Sequence, residues 1–356
     1  MHFDQGVIPR AYTAYILRKT QITFMAVVLL CGALAGGLCL GSVNLPIMEV
    51  VKSLICMEVP RQVEIIVWNI RLPQALTAIM AGAGLAASGT VMQAVLRNPL
   101  GSPFTLGISH AAAFGAALAV MVLGGGAMGS SLNDAVRISS PWLTTFSAFF
   151  FSMAAAMGIT AVSRIKAASP EVMVLTGVAL GSLFTAATML LQFFADDVQL
   201  AAMVFWTFGD VARTSWNELG FLSLFTLCAL VFFMANAWNY NAMDTGDETA
   251  RGIGVQVERV RLSGMMVASL VTSVIIAFVG IIGFVGLVAP HMVRRIIGDD
   301  HRFLLPAATV TGGLMLLISD TVARLILSPH LLPVSVLTAF LGAPVFIFLI
   351  IKGYQK

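Results

Sequence analysis

Hydrophobic positions in this chain come in long unbroken runs rather than in alternation with polar ones. Apolar runs of about twenty residues, enough for a helix to cross a hydrocarbon core of roughly 30 Å, recur along the whole length. The expected spans are 21 to 41, 72 to 95, 104 to 124, 141 to 162, 172 to 194, 217 to 237, 262 to 282, 283 to 297, 303 to 327 and 334 to 351. Main-chain groups in lipid must be satisfied within their own segment, and continuous runs favour helices over a barrel. The expected fold class is all-α, a polytopic transmembrane helical bundle of about ten spans that forms one membrane domain over residues 1 to 356. The eighth run is short and carries Pro290, which leaves open a count of nine with one re-entrant piece.

Composition agrees: 58% of residues are hydrophobic and 10% charged, with a mean hydropathy of +0.93. Against this background the longest charged run is Asp244 to Arg261, DTGDETARGIGVQVERVR, between spans six and seven. A polar block of that size sits outside the bilayer and faces something soluble. Residues 1 to 20 are polar and basic, with no convincing cleavage site after the first apolar run. Lys and Arg set the orientation. With the N-terminus inside, the inner segments hold Arg10, Arg18, Lys19, Arg97, Arg164, Lys166, Arg251, Arg259, Arg261, Arg294, Arg295, Arg302, Lys352 and Lys356. The outer side keeps Lys52, Arg61, Arg71, Arg137, Arg213 and Arg324, so fourteen cations face six. This bias puts both termini and the 244 to 261 block in the cytoplasm of a multi-pass inner-membrane protein.

The outer loops 42 to 70 and 195 to 216 are long enough to fold, and AAMVFWTFG in the second reads as a short helix at the outer mouth. Five spans before residue 200 and five after it give two halves of opposite orientation. Gly82, Gly84, Ser88, Gly89, Gly280, Gly283 and Gly286 suit close helix approach, and Pro344 is expected to bend the last span.

Ionisable groups within the spans are few. Of the 17 carboxylates, Asp320 alone lies well inside a span, four residues before Arg324, where the two can pair across one turn. A proton- or sodium-coupled carrier would place further carboxylates at the midplane, so another energy source is expected. No phosphate loop of the G-x-x-x-x-G-K-[ST] type occurs. The four cysteines show no metal or disulfide spacing, and His110 and His291 read as interior histidines sooner than as lining of a path. Neither a nucleophile-and-base arrangement nor a metal cluster is found, which disfavours an intramembrane enzyme. Asn98 to Pro103, with two prolines, is a rigid turn between spans two and three.

Four stretches in order carry a resemblance: RLPQALTAIMAGAGLAASGTVMQAVLRNPLGSPFTLGIS, GDETARGIGVQVERVR, GFVGLVAPHMVRRIIGDDHRFLLP and SDTVARLILSPHLLPVSVLTAFLGAPVFIFLI. Together they resemble the permease family of ABC importers for iron-siderophores, haem and vitamin B12, over most of the chain from Arg71 onward. The resemblance implies a type II importer permease that dimerises around a translocation path, as a homodimer or with a related chain. It implies two ATPase subunits on the cytoplasmic side and a periplasmic or lipid-anchored substrate-binding protein outside, with membrane lipid around and no nucleic acid.

By the same resemblance, the chain itself binds no cofactor, ATP and Mg being used by the partner ATPase, and is not an enzyme. Residues Gly246, Asp247, Glu248, Thr249, Ala250, Arg251 and Gly252 would couple to the ATPase. Asn98 and Leu100 would narrow the cytoplasmic end of the path, and Lys166, Ala167, Ala168 and Ser169 would form a second constriction. Arg71 and Arg324 match arginines that dock the binding protein, and Gln74 stands where the family often has a further arginine. The cargo expected is a metal chelate, foremost a ferric siderophore, with haem, cobalamin or molybdate behind it. A secondary carrier or channel is the alternative class.

Overall fold

The computed structural model describes residues 10–41, 43–122, 126–128, 136–138, 141–165, 168–326 and 332–353. Helix α1 (Arg10–Cys39) leads to α2 (Ile47–Leu54), α3 (Arg61–Ile65), a π-helical turn (Ile66–Arg71) and α4 (Leu72–Val95). Then come α5 (Ile108–Met121), a hairpin of β1 (Gly126–Met128) and β2 (Val136–Ile138), α6 (Pro141–Ile165), α7 (Pro170–Phe194) and α8 (Asp197–Thr207). The second half holds α9 (Trp216–Ala235), α10 (Ala237–Asp244), α11 (Asp247–Gly252), α12 (Val257–Val279), α13 (Val285–Ile297), α14 (His301–Ile326) and α15 (Val334–Gly353). Among the described residues the fold is all-α apart from that hairpin. Helices occupy all ten expected spans, and seven helical stretches among the described residues are long and apolar enough to cross a membrane.

Three boundaries differ from the sequence reading. The polar segment before residue 21 is not separate: α1 runs unbroken from Arg10, and Lys19 lies over the Tyr15 ring at 4.0 Å. The third span shrinks from 104 to 124 to the 14 residues of α5. Its first turn is lost because Ser102 and Thr105 bond each other's main chain, Ser102 N–H to Thr105 Oγ1 at 3.0 Å and Thr105 N–H to Ser102 Oγ at 3.2 Å. Such local bonds compete with a helical ladder. The outer loop 42 to 70 is largely helical, as α2, α3 and the π turn, and the aromatic piece of the second outer loop forms α8 behind an Asp196–Gln199 capping box.

The lengths of successive spans repeat. In the first half α1, α4, α5, α6 and α7 have 30, 24, 14, 25 and 25 residues; in the second α9, α12, α13, α14 and α15 have 20, 23, 13, 26 and 20. The third member of each half is short, and at about 1.5 Å per residue it reaches only about 20 Å, less than a full crossing. Each starts at a residue of positive φ, Gly107 at 77° and Phe284 at 66°. Interrupted helices at matching places in two halves are a mark of transporter folds.

At the centre lies α4, packed against α9, α12, α13 and α14, whereas α1 and α7 keep most of their apolar surface outward. Glycine makes the central packing possible. A Cβ on Gly89 would lie 1.7 Å from the Gly286 carbonyl oxygen, and one on Gly82 would lie 2.3 Å from that of Gly312. Main chains in van der Waals contact leave no room for a side chain, and in lipid such packing replaces the hydrophobic drive for helix association. Replacing Gly89 by Leu is therefore expected to destabilise the detergent-purified protein by roughly 1–3 kcal/mol or more, read as a lower unfolding temperature. Gly220→Ala, with nothing within 4 Å of its added Cβ, should leave thermal unfolding near wild type.

Candidate functional site

The charged block between the halves folds into α10, α11 and the start of α12. Gly246, at φ 118°, turns the chain before α11, a geometry that side chains with a Cβ disfavour. Asp247 and Glu248 lie in the first turn and Arg251 in the last, each matched to the helix dipole there. Ala250 points in and is fully buried. Glu248, Thr249, Arg251 and Gly252 are exposed, and Ile253, just beyond, is 69% exposed. One face of this short helix is thus free for a partner, with Arg251 also reaching Glu258 at 3.5 Å.

The inward face is anchored by Arg261, which is 0% exposed. Its Nη2 donates to both Asp247 carboxylate oxygens at 2.8 and 2.9 Å, its Nε to the Val95 carbonyl at 2.7 Å and its Nη1 to the Ala168 carbonyl at 3.1 Å. A charge tally by loop treats Arg261 as one more inner cation and misses this. The available signal was its place near the start of a span, four residues after Val257.

The expected constriction residues gather at this same end. Asn98 caps its own turn, its Oδ1 accepting from Leu100 N–H at 2.9 Å, and Leu100 stands 45% exposed. Ala168 is buried with φ 55°, and the Ser169 hydroxyl bonds the Glu171 carboxylate at the start of α7. Lys166 and Ala167 lie outside the described residues.

A second polar cluster ties α10 to α14. Asn241 Nδ2 donates to Asp300 at 2.9 Å, and Asn241 Oδ1 accepts from His301 N–H at 2.7 Å. Asp300 grips Arg302 at 2.6 Å, and the Arg302 guanidinium lies 4.3 Å above the Trp238 ring. Hydrogen bonds from Arg302 and Asn241 outweigh burial and hold the Asp300 carboxyl at about 2. Asp244 behaves oppositely. Burial pushes its carboxyl up to about 6, Asp299 adding to the rise while Arg294 and Arg97 oppose it.

At the far end of the bundle, Arg71 and Arg324 turn inward. Arg71 is 4% exposed and donates to the carbonyls of Leu38 at 2.7 Å, Cys39 at 2.9 Å and Val43. Arg324 pairs with Asp320 at 3.1 Å, as its spacing predicts, and reaches the Gly37 carbonyl at 3.4 Å. Gln74 donates to Asp320 at 2.9 Å. The two arginines are turned inward and not exposed as expected: the last carbonyls of α1 have no partners within their helix, and both guanidiniums take up that role.

Residues 25–352 of the chain match the model of the FecCD transport family. The chain belongs to this family. It is 46% identical, over 98% of its own length and 99% of the relative's, to a protein of Methanocaldococcus jannaschii assigned as an ABC transporter permease. It is 36% identical to the hemin transport system permease protein HmuU of Yersinia pestis, over 82% and 84%. Its fold is similar, with a TM-score of 0.79 and 29% identity over 94% of this chain and 99% of the other, to an inward-facing ABC transporter assigned to the metal-chelate type. The resemblance drawn from the four sequence stretches is borne out, and within this FecCD chain they form the central helix, the charged block and α13 to α15. Among the described residues, no three His, Cys, Asp or Glu side chains are grouped to hold a metal ion.

Two outcomes follow for this FecCD bundle. Arg71→Ala should destabilise the α1 to α4 junction by about 2–4 kcal/mol, since carbonyls lose charge-assisted donors, and Arg71→Lys should restore little of it; chemical unfolding in detergent reads both. Asp244, with its folded value raised from 3.8 to about 6, contributes stability that is complete below 3.8 and lost as pH rises through 6. Between about pH 5 and about pH 7.5, the unfolding temperature of Asp244→Asn should therefore fall less than that of wild type.

Proposed function

We propose that this chain is the permease subunit of an ATP-driven, binding-protein-dependent importer of a metal chelate, with a ferric siderophore as cargo. Haem, cobalamin and molybdate are the alternative cargoes; relatives named for hemin, ferric citrate, molybdate and vitamin B12 import are all 32–36% identical to it. In this reading two copies, or this chain and a related one, enclose the path. Both termini and α11 lie in the cytoplasm, and the exposed face of α11, with Glu248, Thr249 and Arg251, seats on an ATPase subunit. Asn98, Leu100 and the loop 166 to 169 narrow the inner end of the path, and a binding protein delivers cargo at the outer end.

The observation that carries the reading is the pairing of a free outer face on α11 with a buried ion-paired inner face, in a chain of the FecCD family. A helix built that way can receive force from a soluble partner and pass it to the bundle. A secondary carrier fits less well. The carboxylate inside a span, Asp320, is already held by Arg324 and Gln74, so it is not a free ion relay.

The test is reconstitution of the chain with its ATPase subunits in liposomes. Binding protein loaded with ferric siderophore should stimulate ATP hydrolysis several-fold and drive uptake. Stimulation by haem, cobalamin or molybdate instead would move the cargo and keep the class. Uptake that follows an ion gradient without ATPase subunits would favour the carrier.

A further inference from the structure

We propose that Arg261 is the positioning residue that carries motion of α11 to both inner constrictions at once, an inference that rests on the coupling role of α11 and the constrictions proposed above. Three nitrogens of one guanidinium end on three different segments: α11 through Asp247, the C-terminal end of α4 through Val95, and the turn before α7 through Ala168. The side chain springs from the start of a fourth segment, α12. Val95 precedes Asn98 by three residues, so the α4 contact leads directly into the first constriction. Ala168 belongs to the second.

The chemistry suits transmission. A guanidinium is planar with its donors in a rigid fork, so Asp247 cannot shift without rotating the plane against the other two bonds. Burying a cation this fully costs several kcal/mol unless it is paired and its donors are used. Here a carboxylate supplies the charge, and Val95 supplies one of the carbonyls that a helix C-terminus leaves unpaired. Both constriction loops also contain a non-glycine residue in the left-handed region, Arg97 at φ 47° and Ala168 at φ 55°. That conformation costs an L-residue roughly 1–2 kcal/mol, and the Arg261 bond falls on the carbonyl of the strained Ala168 itself. A plain helix cap would need the Val95 bond alone. The added links to Ala168 and Asp247 join parts that a cap has no reason to join.

The test uses the full complex of permease, ATPase subunits and loaded binding protein in liposomes. The exposed Cys31, Cys56 and Cys228, together with Cys39, are replaced, and Ser169→Cys is introduced as a reporter for a polar maleimide. In the background with Arg261 intact, labelling should change when nucleotide is added. In Arg261→Lys, which keeps the charge but not the fork, that change should vanish and cargo transported per ATP hydrolysed should fall by about tenfold. Asp247→Asn, which weakens one arm only, should give an intermediate ratio.

Unaltered labelling and an unaltered transport ratio in Arg261→Lys would overturn the proposal. So would failure of both variants to assemble with the ATPase, because Arg261 would then be scaffold alone. If the parent complex itself shows no cargo-stimulated ATP hydrolysis, the importer reading fails, an outcome separate from either of these.

Discussion

The central helix α4 is held at both ends by a buried guanidinium whose donors finish on main-chain carbonyls. Arg71, in the π turn that leads into α4, clasps the last carbonyls of α1; Arg261, from α12, clasps the last carbonyl of α4. Helix C-terminal ends carry partial negative charge and unpaired acceptors. They offer one of the few environments in an apolar bundle where a buried cation needs no full counter-ion. Arg71 takes that course, whereas Arg261 adds Asp247 as a carboxylate partner. The difference is mechanical as well. Arg71 joins the ends of two spans, but Arg261 reaches a short surface helix, the end of α4 and the turn before α7.

Between these two clamps the α4 contacts leave no slack. Gly82 meets Gly312 and Gly89 meets Gly286 with main chains touching, and close-packed interiors transmit displacement instead of absorbing it. The bundle is therefore suited to move as blocks, with change concentrated where packing stops. Those places are the short third helix of each half, the loops at Arg97 and Ala168, and the charged block before α12. Two non-glycine residues at positive φ, Arg97 and Ala168, lie in these loops and fit that division.

The sequence made the spans legible because the period of apolar residues in lipid is coarse and long, and twenty uninterrupted positions admit few readings. It predicted the Asp320–Arg324 pair from spacing and the charged block from contrast. What it obscured was direction. Arg71, Arg261 and Arg324 occur at span ends, where a count of loop charges assigns every cation to water. Whether a cation faces out or folds back onto a carbonyl is decided by partners 30 to 290 residues away, and no local pattern reports such contacts. Gln74 shows the same limit. Set beside a family arginine it reads as a loss, yet in the fold its amide donates to Asp320.

The placement of charge also bears on where work enters the molecule. The carboxylate in the spans is paired with an arginine and hydrogen-bonded by an amide, so a proton taken up there would have to break an ion pair and abandon a buried guanidinium, at several kcal/mol. The charged block has the opposite character: an exposed outer face, an inner face of one ion pair, and a neighbouring carboxyl, Asp244, poised at about 6. Force delivered at that end would meet a short helix already bonded, through Arg261, to the end of α4 and to the turn at Ala168. Energy delivered at the midplane meets glycine-sealed packing. In the proposed importer, a bundle arranged in this way is driven from its surface, and the selectivity of its path is left to the protein that delivers the cargo.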